Sequence, residues 1–397
     1  MGQSTFEKGN VGAGAIFWIA ETVNHGIYLI IMAKNHGKKG ILFTILFLML
    51  LGLPLLGIIL SRKPIGPYLQ FPPRTFYIQH ASFSWILFFC YGIFIFAVIM
   101  FLFIRTRKGP GNSLPAFYPT VPFPWWGWCG ILLGIGAWIL AWNRFPWFST
   151  FQIHTFTPLW IAYIITFNAL TFRRTGRCLL CNHTSFFILL FPTSAIFWWF
   201  FEYLNRFVQN WYYGGNHLSA WQYFWYATLP FSTVLPAVLS TQEWLNSFPW
   251  IKNRFTTFSP IPIPNPNPKA ASLIGLFLAG VGLLCIGVWP NYLFPLLWIS
   301  PLLIIVSTQT LFNQDHVLSN IQGGNWGLVL SSALAALICG FFWEMWNYYS
   351  FAKWKYNIPY VHRFQVFEMP ILGYAGYLPF GVECTAISQL VFGKKDR

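Results

Sequence analysis

The chain has 397 residues, 56% of them apolar and 21% aromatic, while only 8% are charged and the formal net charge is +15. An ordinary soluble domain carries about 25% charged residues, so a soluble globular protein, a disordered chain and a disulfide scaffold are all excluded. The solvent that suits this composition is lipid.

A helix needs about 20 mostly apolar residues to cross a bilayer. About eleven such stretches are predicted, at 11–33, 41–60, 82–104, 125–142, 158–172, 185–208, 222–239, 271–289, 293–311, 326–350 and 367–392. Runs such as ILFTILFLMLLGLPLLGIIL are apolar on every side, whereas barrel strands alternate. The expected fold class is therefore all-α, a polytopic transmembrane helical bundle. The first stretch carries Glu21 and His25 where a signal-peptide core would be uniformly apolar, so it is expected to remain as a span. Lys and Arg are denser in the loop set that includes the C-terminus. By the positive-inside rule the C-terminus is cytoplasmic and the N-terminus outside, in a bacterial-type inner membrane. The net charge then reports topology, and no loop is long enough to suggest a nucleic-acid-binding face.

Two proline-rich segments, 109–124 and 259–268, cannot continue a helix and are expected as extended linkers. They separate a three-helix leader (1–108) from two segments, 125–258 and 269–397, that resemble each other. Trp142 pairs with Trp289, Pro158 with Pro301, Glu202 with Glu344, Asn205 with Asn347, Trp211 with Trp354, Tyr213 with Tyr356, Pro230 with Pro370 and Glu243 with Glu383, at offsets from 140 to 147. Four helices per unit would give an internal parallel duplication, an arrangement that commonly frames a site between the copies.

Only nine residues are acidic. Glu21, Glu202, Glu243, Glu344 and Glu383 fall within or at the ends of predicted spans, and Glu368 begins the last. A carboxylate at the bilayer centre costs about 3 kcal/mol even on lenient scales, which makes it a functional candidate by default. Asn24, Asn205, Asn246 and Asn347 each follow a Glu by three residues (ETVN, EYLN, EWLN, EMWN), on one helix face. Such an Asn can donate to its Glu or to a shared ligand; the alternative is interhelical glue. His25 faces the same side as Glu21. The last span, FEMPILGYAGYLPFGVECTAI, has prolines and glycines that should break it and free backbone carbonyls, making a candidate site wall.

The cysteines lie mostly in apolar spans, where a thiol behaves as a small hydrophobe. Cys178, Cys181 and His183 could supply part of a zinc site, but a closed site takes four ligands and no second pair is near in sequence; no cofactor is otherwise expected. Three classes of function fit: an enzyme on a lipid or isoprenoid, with a buried Glu as general acid beside rings that steady a developing cation; a proton- or ion-coupled transporter; and a structural or quinone-facing subunit of a larger membrane complex. Aromatic runs directly before Glu202 and Glu344 favour the first, with Glu202, Glu344, Glu243 and Glu383 as catalytic candidates. Asn205, Asn347, Glu21, Asn24, His25, Glu368, Trp211, Trp354 and Tyr356 would then bind substrate in a carboxylate- and aromatic-lined cavity.

In the second unit Trp343 and Glu344, then Trp354 and Tyr356, then Pro379 and Glu383 resemble the order of signatures in the integral-membrane lycopene cyclase (carotenoid cyclase) domain. The resemblance covers about 50 residues per unit and implies acid-catalysed isoprenoid chemistry at Glu344 and Glu383, with Glu202 and Glu243 as counterparts. This chain spaces Pro379 and Glu383 more widely than that domain, carries a single Glu there in place of a pair, and has more helices.

Overall fold

A computed structural model describes residues 37, 39–105, 121–214, 218–256, 258 and 267–393. The first predicted span with Glu21, Asn24 and His25, most of both proline-rich segments, and the basic residues Lys394, Lys395 and Arg397 lie outside the described residues. The chain divides into two units, 1–48 and 49–397, and apart from the first turns of α1 the description below concerns the second.

The protein is mostly helical. Among the described residues six helices are long and apolar enough to cross a bilayer, or up to eight if each bent pair counts as one span. They are α1 (Lys39–Leu60), α2 (Trp85–Arg105), α3 (Trp125–Trp142), α5 (Thr184–Val208), α8 (Pro268–Cys285) and α10 (Gly327–Tyr349), with the bent pairs ending in α4 (Phe156–Thr175) and α9 (Ser300–Leu311). The bends, 66° and 51°, follow 3-10 segments that open with Pro146 and hold Pro295. Proline supplies no amide to the preceding turn, so the chain redirects there instead of extending one helix.

The predicted span 222–239 is broken. Ser219 and Gln222 close a capping box that starts α6 (Ala220–Phe231), and α7 (Val234–Asn246) begins after a turn at Ser232 and Thr233. The predicted span 367–392 is also corrected. Residues 365–370 form a small hairpin, β3 (Gln365–Val366) with β4 (Met369–Pro370). A 3-10 segment, Ile371–Gly376, then leads into α11 (Tyr377–Phe392). Of the prolines and glycines expected to break the helix, Pro370, Gly373 and Gly376 fall before it, in the hairpin and the 3-10 segment, whereas Pro379 and Gly381 are accommodated inside α11.

Close helix pairs are made where small residues face a neighbour. A methyl added at Gly130 would lie 2.7 Å from Ile165, and one at Gly282 would lie 2.8 Å from Leu296; such positions let backbones approach where packing, not water, drives association. The centre of the bundle is α7, buried from Val234 to Gln242, packed on α4, α10 and α11. Its polar side chains are paired across helices: Ser240 accepts from Asn168 (2.8 Å), Thr241 meets the Tyr163 hydroxyl (2.8 Å), and Gln242 accepts from Thr385 (3.2 Å).

Candidate functional site

Beyond α5 and α10 the chain turns into two short strands, β1 (Trp211–Tyr213) and β2 (Trp354–Tyr356), which pair antiparallel. The register sets Trp211 against Tyr356, Tyr212 against Lys355 and Tyr213 against Trp354. Side chains alternate faces along a strand, so the two Trp and two Tyr of the W-x-Y motifs share one face, with Tyr212 and Lys355 on the other. All four aromatics of that face line a cavity of about 620 Å3, and Tyr212 and Lys355 do not.

Each strand is held by the Asn of its Glu-x-x-Asn motif. Asn205 donates to the Trp211 carbonyl (2.7 Å) and accepts from the Asn210 amide (2.8 Å); Asn347 donates to the Trp354 carbonyl (2.8 Å) and accepts from the Trp354 amide (2.9 Å). In these two motifs the Asn amide bonds the backbone of the strand that follows, and not its own Glu. Donating to backbone and accepting from it, the side chain clamps a strand that has only one partner of its own.

The carboxyls take the aromatic donors. Glu202, fully buried, accepts through Oε1 from Trp198 Nε1 (3.0 Å), Trp211 Nε1 (3.0 Å) and the Tyr213 hydroxyl (2.6 Å). Glu344, also fully buried, accepts through Oε1 from the hydroxyls of Tyr356 (2.7 Å) and Tyr377 (2.6 Å), while Trp354 Nε1 donates to Tyr356 Oη (2.8 Å). In both residues Oε2 is buried without a hydrogen-bond partner. Burial, with the facing carboxyl second, holds the Tyr213 and Tyr356 phenols well above their usual range. They are therefore neutral donors.

The third donor differs between the two nests. Trp198 stands four residues before Glu202, but the residue four before Glu344 is Gly340. A methyl at Gly340 would sit 2.4 Å from the Tyr377 ring. The missing side chain is what lets α11 deliver its phenol to Glu344.

Trp198, Trp343 and Tyr377 line the cavity with the ribbon aromatics, but no Glu is among its described lining residues. The carboxylate-lined cavity is corrected to an aromatic-lined one: the carboxyls stand behind the rings that bond to them, where their one engaged oxygen is already satisfied. Other lining residues come from α2, from the segment before it and from the 371–376 turn.

The remaining candidates are placed elsewhere. Glu383 is buried on α11 and accepts from the Leu302 amide in the first turn of α9 (3.1 Å), a carboxyl at a helix N-terminus. Glu243, half-buried near the end of α7, accepts from the Leu179 amide (2.9 Å). Glu368 sits in the β3–β4 turn, ion-paired with Lys353, not at the start of a helix. Pro230 lies inside α6 and Pro370 in β4, so the sequence pairing of the two units is not matched in local structure at this end. Burial pushes the Cys178 thiol up to about 12, and no group of three His, Cys, Asp or Glu among the described residues is arranged to hold a metal.

Trp198, Tyr213 and Tyr377 did not emerge from the sequence as ligands of the carboxyls. Trp198 had a readable signal, its position one helical turn before Glu202. Tyr377 had none, being 33 residues beyond Glu344. The fold and site together define a multi-pass helical membrane protein organised around an aromatic cavity. Compared with protein-family models, with curated proteins and with solved structures, the chain gives no match in any of the three.

Proposed function

We propose that the protein is an enzyme acting on a lipid or isoprenoid-type substrate in the aromatic cavity, with Glu202 and Glu344 as acid–base groups working through Tyr213, Tyr356 and Tyr377. One observation carries this reading: two buried carboxyls on separate helices each bind phenols that wall the same cavity. A phenol hydrogen-bonded to a carboxyl can relay a proton to a ligand that the carboxyl does not touch. In the chemistry proposed, Tyr213 gives its proton to a substrate double bond, whose π pair forms the new C–H bond. Glu202, which enters the cycle protonated on Oε2 while Glu344 enters it ionised, passes its proton to the Tyr213 oxygen and is left as a carboxylate. The resulting cation lies against Trp and Tyr faces, whose quadrupole is attractive to it, and loses a neighbouring proton to the Tyr356, Tyr377 and Glu344 relay. After product release, proton exchange returns Glu344 to the carboxylate and Glu202 to the acid. The outcome is an isomerisation or cyclisation with no net redox change.

The carotenoid cyclase resemblance supports the same chemistry at Glu344. Its second acid, Glu383, is better read as a helix cap, and Glu243 as the acceptor of the Leu179 amide. The repeated residue order and the matching Asn clamps support a duplicated helical unit behind an N-terminal leader, with the C-terminus cytoplasmic in an inner membrane. A second reading, a proton- or ion-coupled transporter, draws on the polar seam of Asn168, Ser240, Thr241, Gln242 and Thr385 through the bundle centre.

The test is Glu202→Gln and Glu344→Gln, assayed on lipids extracted from the protein's own membrane with products followed by mass spectrometry. Glutamine keeps an acceptor oxygen for the same donors, so expression and thermal stability are expected to hold while turnover falls at least about a hundredfold. Wild-type turnover in both variants would refute the reading.

A further inference from the structure

We propose that the cavity takes an amphiphile with an acidic, phosphate-type head, and that Arg74, Thr75 and Asn210 form the subsite for that head. The proposal rests on reading the cavity as a lipid site, and it narrows the substrate class from any hydrophobic molecule to one with a charged end.

Among the described residues lining the cavity, the charged side chains are Arg74 and Lys353, and no carboxylate joins them. Lys353 is already ion-paired with Glu368. Arg74 gives Nη2 to the carbonyls of Leu218 (2.8 Å) and Ser219 (2.9 Å), and its Nε is buried without a partner. Thr75 Oγ1 and Asn210 Oδ1 are likewise buried and unpartnered, on residues that are 5% and 4% exposed. These atoms belong to two chain segments that run side by side: the Phe76 amide donates to Gln209 Oε1 (3.0 Å), and the Tyr77 ring lies 5.7 Å from that of Tyr212.

Buried polar atoms without partners are few in folded proteins, and each one asks for an occupant. Here three residues that line one cavity hold between them an unpartnered guanidinium N–H, hydroxyl and amide oxygen in its wall. That set suits a head with acidic oxygens and a hydroxyl of its own. A quaternary ammonium would find no carboxylate, and a pure hydrocarbon would leave all three atoms unsatisfied.

The rest of the space suits a chain. The cavity shares Phe94 and Val98 of α2 with a second, apolar crevice of about 390 Å3 that continues to Phe101 and Trp326. From Tyr91 to Phe101 the helix rises about 15 Å, which gives a tail an apolar track along α2.

The experiment uses full-length protein in phosphatidylcholine nanodiscs with radiolabelled dodecyl phosphate, dodecanol and dodecyltrimethylammonium as probes, and inorganic phosphate as competitor. Dodecyl phosphate is expected to bind saturably and at least about tenfold more tightly than either other amphiphile, since hydrogen bonds to a charged group are the strong ones. Weak competition by inorganic phosphate would show that a lipid, and not free phosphate, supplies the head; full competition at equal concentration would overturn the amphiphile. Arg74→Gln is expected to remove that preference. Because Arg74 also braces residues 218–219, Thr75→Val provides the second variant: its hydroxyl has no protein partner, so folding should be untouched while dodecyl phosphate binding weakens several-fold. Equal binding of the three amphiphiles, or unchanged binding in folded Thr75→Val and Arg74→Gln, would overturn the proposal. Glu202→Gln and Glu344→Gln should bind dodecyl phosphate normally; if they also turn over lipid normally, the catalytic reading fails and the head subsite stands.

Discussion

The nests around Glu202 and Glu344 satisfy the same carboxyl oxygen with aromatic donors, yet they draw those donors from different parts of the chain. Around Glu202 everything is local: Trp198 on the same helix, and Trp211 and Tyr213 on the strand that follows it. Around Glu344 the strand gives one phenol directly, and the second comes from α11 across the gap left by Gly340. The first nest can therefore assemble within one helix–strand unit, whereas the second is complete only when the last helix docks. Glu344 couples the ribbon to α11, and Glu202 does not.

That comparison can be broken by substitution. The largest effect is expected from removing the acceptor itself. Glu202→Ala strands three buried donors and Glu344→Ala two phenols; at about 1–3 kcal/mol for each unsatisfied group, tempered by the weaker hydrogen bonds measured between membrane helices, losses of about 2–4 kcal/mol are expected in chemical unfolding, larger for Glu202. Equal, negligible losses would mean that neither nest holds the fold. Next comes Gly340→Ala, which drives a methyl into the Tyr377 ring and should cost about 1–3 kcal/mol by overpacking while loosening α11 against proteolysis. The matching change in the first nest, Tyr213→Phe, should leave α11 protected, because Tyr213 packs on Tyr223 of α6 and Glu202 keeps two donors. The smallest effect is expected from Tyr377→Phe, about 1 kcal/mol for one hydrogen bond, without the loosening seen for Gly340→Ala. If Gly340→Ala and Tyr377→Phe behave alike, the hydroxyl and not the packing is what docks α11.

The same contrast explains how much could be read from the sequence. Trp125–Trp142 emerges with its observed ends, and the spans at α2, α5 and α10 fall within a few residues, because an all-round apolar run is a local property. The Glu-x-x-Asn and W-x-Y spacings were visible too, although their meaning was not. That Asn205 and Asn347 clamp strands, and that the strands pair with each other, depends on bringing together residues about 140 positions apart. The prolines and glycines of the last predicted span announced a break but not its place, because strands of two residues, as at 365–370, are too short to show a period of their own. Arg74, Thr75 and Asn210 were silent for another reason: single polar residues outside the spans carry no periodic signal, and only the folded chain brings them into the wall of one cavity.

The central claim is that two carboxyl–phenol pairs serve one occupied cavity, and an experimental density map of the protein in native-lipid nanodiscs tests it most directly. The account predicts elongated density running along α2 between Tyr213 and Tyr356, with its head against Arg74 and with Glu202 and Glu344 bonded to their phenols. A cavity closed by side chains, with Glu202 or Glu344 turned to partners on other helices, would contradict it.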